Sequence, residues 1–421
     1  MAFRTSLRNH AIARLRCRSF EAFRAVFAPP MQASAPDLIH CHDSMPLLAA
    51  QRTAQLTGAA LIYDSHELEA HRNIFMPSYL RAKIMDVEAR ILPKADGVIT
   101  VSDCFADDLA QMYSIARPHV VHNAPPLKQM ALQNRWQAAS RTSGLREEAG
   151  VSESAKLLVY TGNIGVNRGI EHVVAGLAEY YRRTKSAQDV HFSIVGSPKD
   201  DTAERVRIQA AAAGLADKIH FHAPVPPTEV TSFIAQADIS VVSVMPATRS
   251  YDRTMPNKIF EAAMAGLPIL GSNLTAQGAF IKEHALGLTY DPYDANSFCL
   301  SLSTLLETPD VYKRTKTQQK TFDAAFSWEA QGRKLTDLYA RIAEKRGREI
   351  RRVCMVVPNP CNPDFRVVKE AQTLASAGYE VTLFATRSAN TPPASENHAG
   401  VQYQRIEWDV RAVLRASFRR S

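Results

Sequence analysis

Lys258 and Glu261 stand three residues apart in the segment Pro256-Asn257-Lys258-Ile259-Phe260-Glu261-Ala262-Ala263-Met264-Ala265-Gly266-Leu267-Pro268-Ile269-Leu270-Gly271. A cation beside a helix N-terminus makes a phosphate site, because free N–H groups and the macrodipole both favour an anion there. A carboxylate one turn further in can accept two hydrogen bonds from a ribose diol. One short helix therefore has the means to hold the diphosphate and the ribose of a nucleotide. The alternative is a solvated i,i+3 ion pair on a surface helix. A second constellation is Thr161-Gly162-Asn163-Ile164-Gly165-Val166-Asn167-Arg168-Gly169. It reads as a glycine-bearing turn that opens a helix, with Arg168 at its mouth. Its backbone N–H groups and the guanidinium can cradle a phosphate, although many such turns only connect elements.

The positioning elements follow from the same stretches. Pro256 drives Met255 extended and precedes a helix, and Asn257 is the expected cap. Ile259, Phe260, Ala263 and Met264 share the buried face. Gly266 closes the helix, Pro268 blocks its continuation, and Ile269-Leu270 opens a buried strand. Polar residues also follow other predicted strands: Asp64-Ser65-His66-Glu67 after 60–63, Ser102-Asp103 after 97–101, and His42-Asp43 after 37–41. Ligands of open parallel sheets bind at those carboxyl ends.

The Pro256-Asn257-Lys258, Glu261 and Ala265-Gly266-Leu267-Pro268 pattern resembles the nucleotide-sugar signature of retaining GT-B glycosyltransferases, glycosyltransferase family 4. The resemblance implies that Glu261 binds the nucleotide ribose. A second family glutamate, eight residues upstream, contacts the donor sugar; Arg253 stands in that place and does not inherit the role. A branch of the family that reads Pro-Asn-Lys also often lacks it. In the family's phosphate loop two cations grip the diphosphate; Asn163 replaces the first and Arg168 matches the second. His66 matches a first-domain histidine near the donor sugar; a strand-end histidine with a structural hydrogen bond is the alternative. The implied catalytic set is His66, Arg168 and Lys258. The donor-binding set is Gly162, Arg168, Asn257, Lys258 and Glu261. Asp64, Glu67, Ser102, Asp364 and Arg366 are acceptor-side candidates. No Asp-x-Asp triplet is present to hold a metal, so none is expected, and the nucleotide-sugar is a substrate rather than a cofactor.

A chain of 421 residues suits two domains. Apolar content of 46% and charged content of 22% are those of a soluble globular protein. Six scattered cysteines without a C-x-x-C pair fit a reducing cytoplasm. No apolar run approaches the roughly 20 residues of a membrane span. Net charge is +8. Part of the excess lies in residues 1–28, where Arg4, Arg8, Arg14, Arg16, Arg18 and Arg24 interleave with apolar residues. That pattern fits a basic helix on an anionic membrane surface, a transit peptide, or a surface helix with snorkelling arginines. With Arg411, Arg415, Arg419 and Arg420, these residues form a lipid-directed patch if the termini meet.

Strands alternate with helices along the chain, which indicates parallel sheets. Predicted strands in the first part are 37–41, 60–63, 97–101 and 119–122. In the second they are 157–161, 191–195, 218–222, 239–244, 269–270 and 288–290. A helix from Ser327 to about Lys345 closes the second domain. Residues 353–357, the helix from Asp364 to Gly378 and the strand 379–385 then resemble the opening of a GT-B enzyme: first strand, Asp-x-Arg-Val helix, Gly-Tyr-Glu-Val second strand. A βαβ unit cannot bury both faces of its own sheet. The expected fold is therefore α/β, GT-B, with two Rossmann-like domains whose parallel sheets face across a cleft. Residues 1–130 plus 346–421 form the acceptor-side domain as a circular permutation, and residues 131–345 form the donor domain. A segment cut from a tandem array is the alternative.

The expected activity is metal-independent retaining transfer from a nucleotide-sugar donor to a glycan or lipid-linked acceptor. The expected location is the cytoplasm, with peripheral contact at the inner membrane face. A nucleotide-sugar 2-epimerase of the same fold would need acid/base residues such as Asp64, Glu67 or Asp103. A non-catalytic nucleotide-sugar-binding protein is the third reading. A nicotinamide enzyme is disfavoured because no G-x-G-x-x-G follows a strand. Nucleic-acid binding is not expected, since no motif or aromatic platform accompanies the basic charge.

Overall fold

The structure is a computed structural model. It describes residues 2–72, 75–127, 143–184, 188–308, 310–362, 364–387 and 393–408, with side chains from residue 17 onward. The side chains of Arg4, Arg8, Arg14 and Arg16, and all of Arg411, Arg415, Arg419 and Arg420, lie outside this range. The chain forms two compact units. One takes the described residues up to Val121 and from Gln331 onward, and the other takes those from His122 to Ala330.

Fourteen strands are described: β1 (Leu38–His42), β2 (Ala60–Ser65), β3 (Gly97–Thr100), β4 (His119–Val120), β5 (Lys156–Thr161), β6 (Val190–Val195), β7 (Ile219–His222), β8 (Ile239–Val242), β9 (Ile269–Ser272), β10 (Gly287–Tyr290), β11 (Arg352–Val356), β12 (Glu380–Arg387), β13 (Ser395–His398) and β14 (Val401–Glu407). The first unit holds one sheet in the order β13-β14-β12-β11-β1-β2-β3-β4. Only β13 is antiparallel, a strand that the alternation pattern does not announce.

The late strand β11 lies between β1 and β12. Leu38 pairs with Val353 and Cys41 with Val356 on one side, and Val353 pairs with Val381 on the other. Val353 to Val356 are all buried, as a parallel strand covered on both faces requires. The helix Trp328–Arg346 belongs to this unit from Gln331 on. Leu338 and Ile342 pack at Gly97, and Arg346 pairs with Asp96 at 2.7 Å. The N-terminal helix Ala2–Ala33 packs against the helices Leu47–Thr57 and Ser78–Ile91 of the same unit. Phe20, Phe23, Phe27 and Met31 are buried, with Phe23 stacked on Phe27 at 3.8 Å. Each such ring contributes about 1.5–3 kcal/mol on burial, enough to offset the poor helix propensity of Pro29 and Pro30.

The second unit holds an all-parallel sheet in the order β10-β9-β8-β5-β6-β7. Leu158, Tyr160, Phe192 and Ile194 fill one face, and Leu157, Val159 and Val195 fill the other. The alternation along β5 and β6 sends successive side chains to opposite cores.

Removing residues 351–421 strips β11, β12 and β14 from the first sheet and exposes Ile39 and Cys41. The truncated chain should be insoluble, whereas the same segment placed before Met1 should restore a soluble chain with cooperative melting. Soluble yield and thermal unfolding measure both outcomes, and a soluble, cooperatively folding truncation would contradict this placement.

Candidate active site

In the second unit the site begins where β5 ends. Thr161 leads into Gly162, whose φ of +119° is open only to glycine at low cost. Its N–H donates to the Val195 carbonyl at 2.9 Å. A Cβ on residue 162 would lie 2.7 Å from Lys258 Nζ, so the lysine crosses directly over the glycine. The loop then turns back at Asn167 and Gly169, both with positive φ. A Cβ on residue 169 would collide with the Ser243 carbonyl. Ser243 Oγ donates to the Arg168 carbonyl at 2.8 Å, which fixes the arginine at the end of β8.

The helix Asn257–Met264 faces this loop. Ile259 and Phe260 are buried, and Phe260 packs edge-on against Phe280 at 5.5 Å. On its other side Glu261 Oε2 accepts from Thr161 Oγ1 at 3.2 Å. Lys258 Nζ lies 5.1 Å from the Tyr160 ring, and the Arg168 guanidinium lies 5.5 Å from the Tyr251 ring. Gly162, Arg168, Lys258 and Glu261 thus come together in the fold. Asn257 does not cap. Pro256, at φ −68° and ψ 139°, is the extended residue at the cap position, and the helix has no side-chain cap bond. Asn257 is already helical, one place too late to reach the first-turn N–H groups.

Burial, together with Arg168 nearby, pushes the Lys258 ammonium down to about 8, against the pull of Glu261. Two neighbouring cations in a partly desolvated place are mutually unfavourable until an anion joins them. A bound diphosphate would supply that charge and raise the lysine again.

The first unit carries a second cluster at the carboxyl ends of β1 and β2. The Arg366 side chain, 4% exposed, grips Asp64, with Nε to Oδ2 at 3.1 Å and Nη2 to both oxygens at 2.9 Å. It also lies 3.1 Å from Glu370 one turn on, and donates to the Val121 carbonyl at 2.8 Å. His40 Nδ1 meets the Tyr339 hydroxyl at 2.9 Å, and His42 Nδ1 meets His66 Nε2 at 3.1 Å. Burial alone would raise Asp64, but Arg366 and His66 outweigh it and hold the carboxyl well below its usual range. Burial pushes Glu370 up to about 8, with Arg366 only partly opposing. Burial likewise lowers His66, yet Asp43 and Asp64 overcome it and lift the imidazole to about 10.

Among the described residues, His40, His42, Asp64 and Glu370 bring four possible metal-ligand atoms within 4.8 Å of one another. Three features describe how these groups already engage their surroundings. Arg366 already supplies positive charge to both carboxylates. His66 Nε2 occupies His42 Nδ1. The His40 and His42 rings stack at 4.4 Å within 17° of parallel.

The remaining candidates separate. Glu67 pairs with Arg72 at 3.2 Å. Ser102 Oγ, fully buried, accepts from Phe105 N–H and caps the helix Asp103–Tyr113. Asp364 caps the helix Phe365–Ser376 through Val367 N–H. Arg366 is enclosed by its ion pairs and offers no free guanidinium to an acceptor. Several members of the cluster escape a reading of the sequence. Glu370 carries a local signal, its spacing of four from Arg366, whereas Tyr339 carries none.

Two family models match the chain: "Glycosyltransferase Family 4" over residues 6–128 and "Glycosyl transferases group 1" over residues 155–308. Glycogen synthase of Mycobacterium tuberculosis is 23% identical over 319 residues, covering 74% of this chain and 70% of its own. D-inositol 3-phosphate glycosyltransferase of Corynebacterium efficiens is 25% identical over 311 residues, covering 72% and 71%. Among solved structures, sucrose-phosphate synthase from Thermosynechococcus elongatus superposes with a TM-score of 0.57 at 20% identity, over 73% of this chain and 74% of that one. Anabaena HepE in complex with UDP gives a TM-score of 0.58 at 15% identity, over 76% and 81%. The two parallel-sheet units are those of a GT-B glycosyltransferase. The chain belongs to the group 1 glycosyltransferases of family 4, and it is an enzyme of that class.

Arg366→Met should cost about 3–5 kcal/mol, because it leaves the Asp64 charge buried without its partner. A urea titration reads this as a lowered midpoint at unchanged slope. His66, raised from 6.5 to about 10, contributes stability that is complete below pH 6.5 and is lost as pH rises toward 10. Wild-type protein should therefore lose melting temperature across that window, and His66→Gln should flatten the loss.

Proposed function

We propose that the chain is a retaining glycosyltransferase that moves a sugar from a nucleotide-sugar donor to a glycan or lipid-linked acceptor. The carrying observation is Lys258 lying over Gly162 beside Arg168, with Glu261 held at the strand end. Arg168, Lys258 and the uncapped N-terminus of the helix Asn257–Met264 neutralise the departing diphosphate, so no metal is needed for that charge. Glu261 takes the ribose. The Anabaena HepE structures, one with UDP and one with UDP-glucose, support a donor of this class.

His66, held positive at neutral pH, is a poor base for an acceptor hydroxyl and a good electrostatic partner for negative charge. That supports retention without an enzymic base. It also weighs against epimerisation, as does the pairing of Asp64 with Arg366, Glu67 with Arg72 and Asp103 with Arg117. Among the described residues no helix is long and apolar enough to cross a membrane. Contact with an anionic membrane through the basic N-terminal helix remains part of the proposal. The insertion of β11 and β12 beside β1 supports a circular permutation of the first unit.

A thermal-shift screen of nucleotide sugars should find a stabilising donor. Turnover should release its nucleotide with EDTA present, and NMR of the product should show the donor's anomeric configuration. Inversion, or dependence on added metal, would refute the reading. Glu261→Ala should weaken donor binding by about 1–3 kcal/mol. Gly162→Ala, which displaces Lys258, should weaken it too. Donor affinity should fall as pH rises above about 8, where Lys258 loses its charge. Calorimetry on folded variants measures each effect.

A further inference from the structure

Asp43 follows β1 in the left-handed conformation, at φ +61°. For a residue other than glycine this costs of order 1 kcal/mol, and such strain concentrates at functional sites. Its N–H donates to the Asp64 carbonyl at 3.0 Å, which ties the turn to β2. That conformation delivers its carboxylate to His66, with Oδ1 3.6 Å from Nδ1. Oδ1 is buried and makes no hydrogen bond of its own. On the other edge of the ring, Nε2 lies 3.6 Å from Asp64 Oδ2 and 3.1 Å from His42 Nδ1. His66 is therefore flanked by a carboxylate on each nitrogen.

We propose that Asp43 is a positioning residue for sugar transfer: with Asp64 it clamps His66 through both ring nitrogens and presents the ring as a fixed positive group. The proposal rests on the reading that His66 serves the transfer. Asp64 shares its charge with Arg366 at 2.9 Å and has His40 at 3.6 Å. Glu370 lies 3.9 Å from His42, with its carboxyl pushed up to about 8 chiefly by burial while Arg366 opposes the shift. Glu69, approached by Ser44 and Arg72, is the further acid near Asp43, pushed up to about 8 chiefly by burial. Asp43 is thus the carboxylate on His66 with no arginine partner in the described pairs. Burial opposes the imidazolium, while Asp43 and Asp64 favour it. Removing Asp43 tips this balance without disturbing the Asp64–Arg366 grip.

Asp43→Asn deletes the charge and keeps a residue that tolerates the left-handed conformation. Asp43→Gly keeps the turn with no side chain at all. Histidine resonances of the full-length chain, titrated by NMR and assigned with His66→Gln, read the imidazole directly. In both variants the His66 midpoint should fall by about 1–3 pH units, the usual effect of one adjacent opposite charge. The alkaline limb of kcat should move down by the same distance with donor KM unchanged, using UDP-glucose or the donor selected by the screen above. An unmoved His66 midpoint in a folded variant would overturn the clamp. A moved midpoint with an unmoved kcat profile would overturn the use of His66 in transfer instead. Rescue of both readouts by Asp43→Glu would support the charge, rather than the packing, as the cause.

Discussion

The first unit depends on the pairing of Asp64 with Arg366, two charges 302 residues apart in the chain. Each is costly to bury alone, and together they satisfy most of each other's hydrogen-bonding capacity. The arginine rides on a helix from the late part of the chain and the aspartate ends an early strand. Their register is correct only when β11 lies beside β1. Around this pair the strand-end histidines acquire different charge states. His40 and His42 are pushed toward neutrality by burial. His66 sits one carboxylate further out and stays charged.

The second unit solves the opposite problem. There the half-buried cation Lys258 lies near Arg168, with Glu261 favouring its charge. Gly162 is the enabling residue, since any side chain would occupy the space the ammonium crosses. An anion-shaped deficit is thereby built into the folded state. The unit is held ready by apolar packing, with the aromatic cluster of Phe260, Phe280, Phe322 and Phe326 behind the helix. The two units therefore differ in chemical logic: one neutralises its buried charges internally, the other keeps two cations near one carboxylate.

Much of this was determined by the sequence alone. Apart from β13, the strands of both sheets largely follow from short apolar runs between turn residues, because a parallel strand buried on both faces has no polar positions to hide. Gly162, Arg168, Lys258 and Glu261 were legible because each is fixed by local geometry: a turn that needs glycine, a helix start, and one turn of spacing. Arg366 was legible as part of the Asp-x-Arg-Val helix start, whereas Glu370, four residues on, was not singled out. What only the tertiary structure decided is which partner each charge takes. The cap at Pro256 rather than Asn257, the enclosure of Arg366, the hydroxyl of Tyr339 on His40 and the carboxylate of Asp43 on His66 all depend on backbone dihedrals and through-space distances. Burial and Coulomb energy act over a few ångströms in space, and linear order does not record those distances.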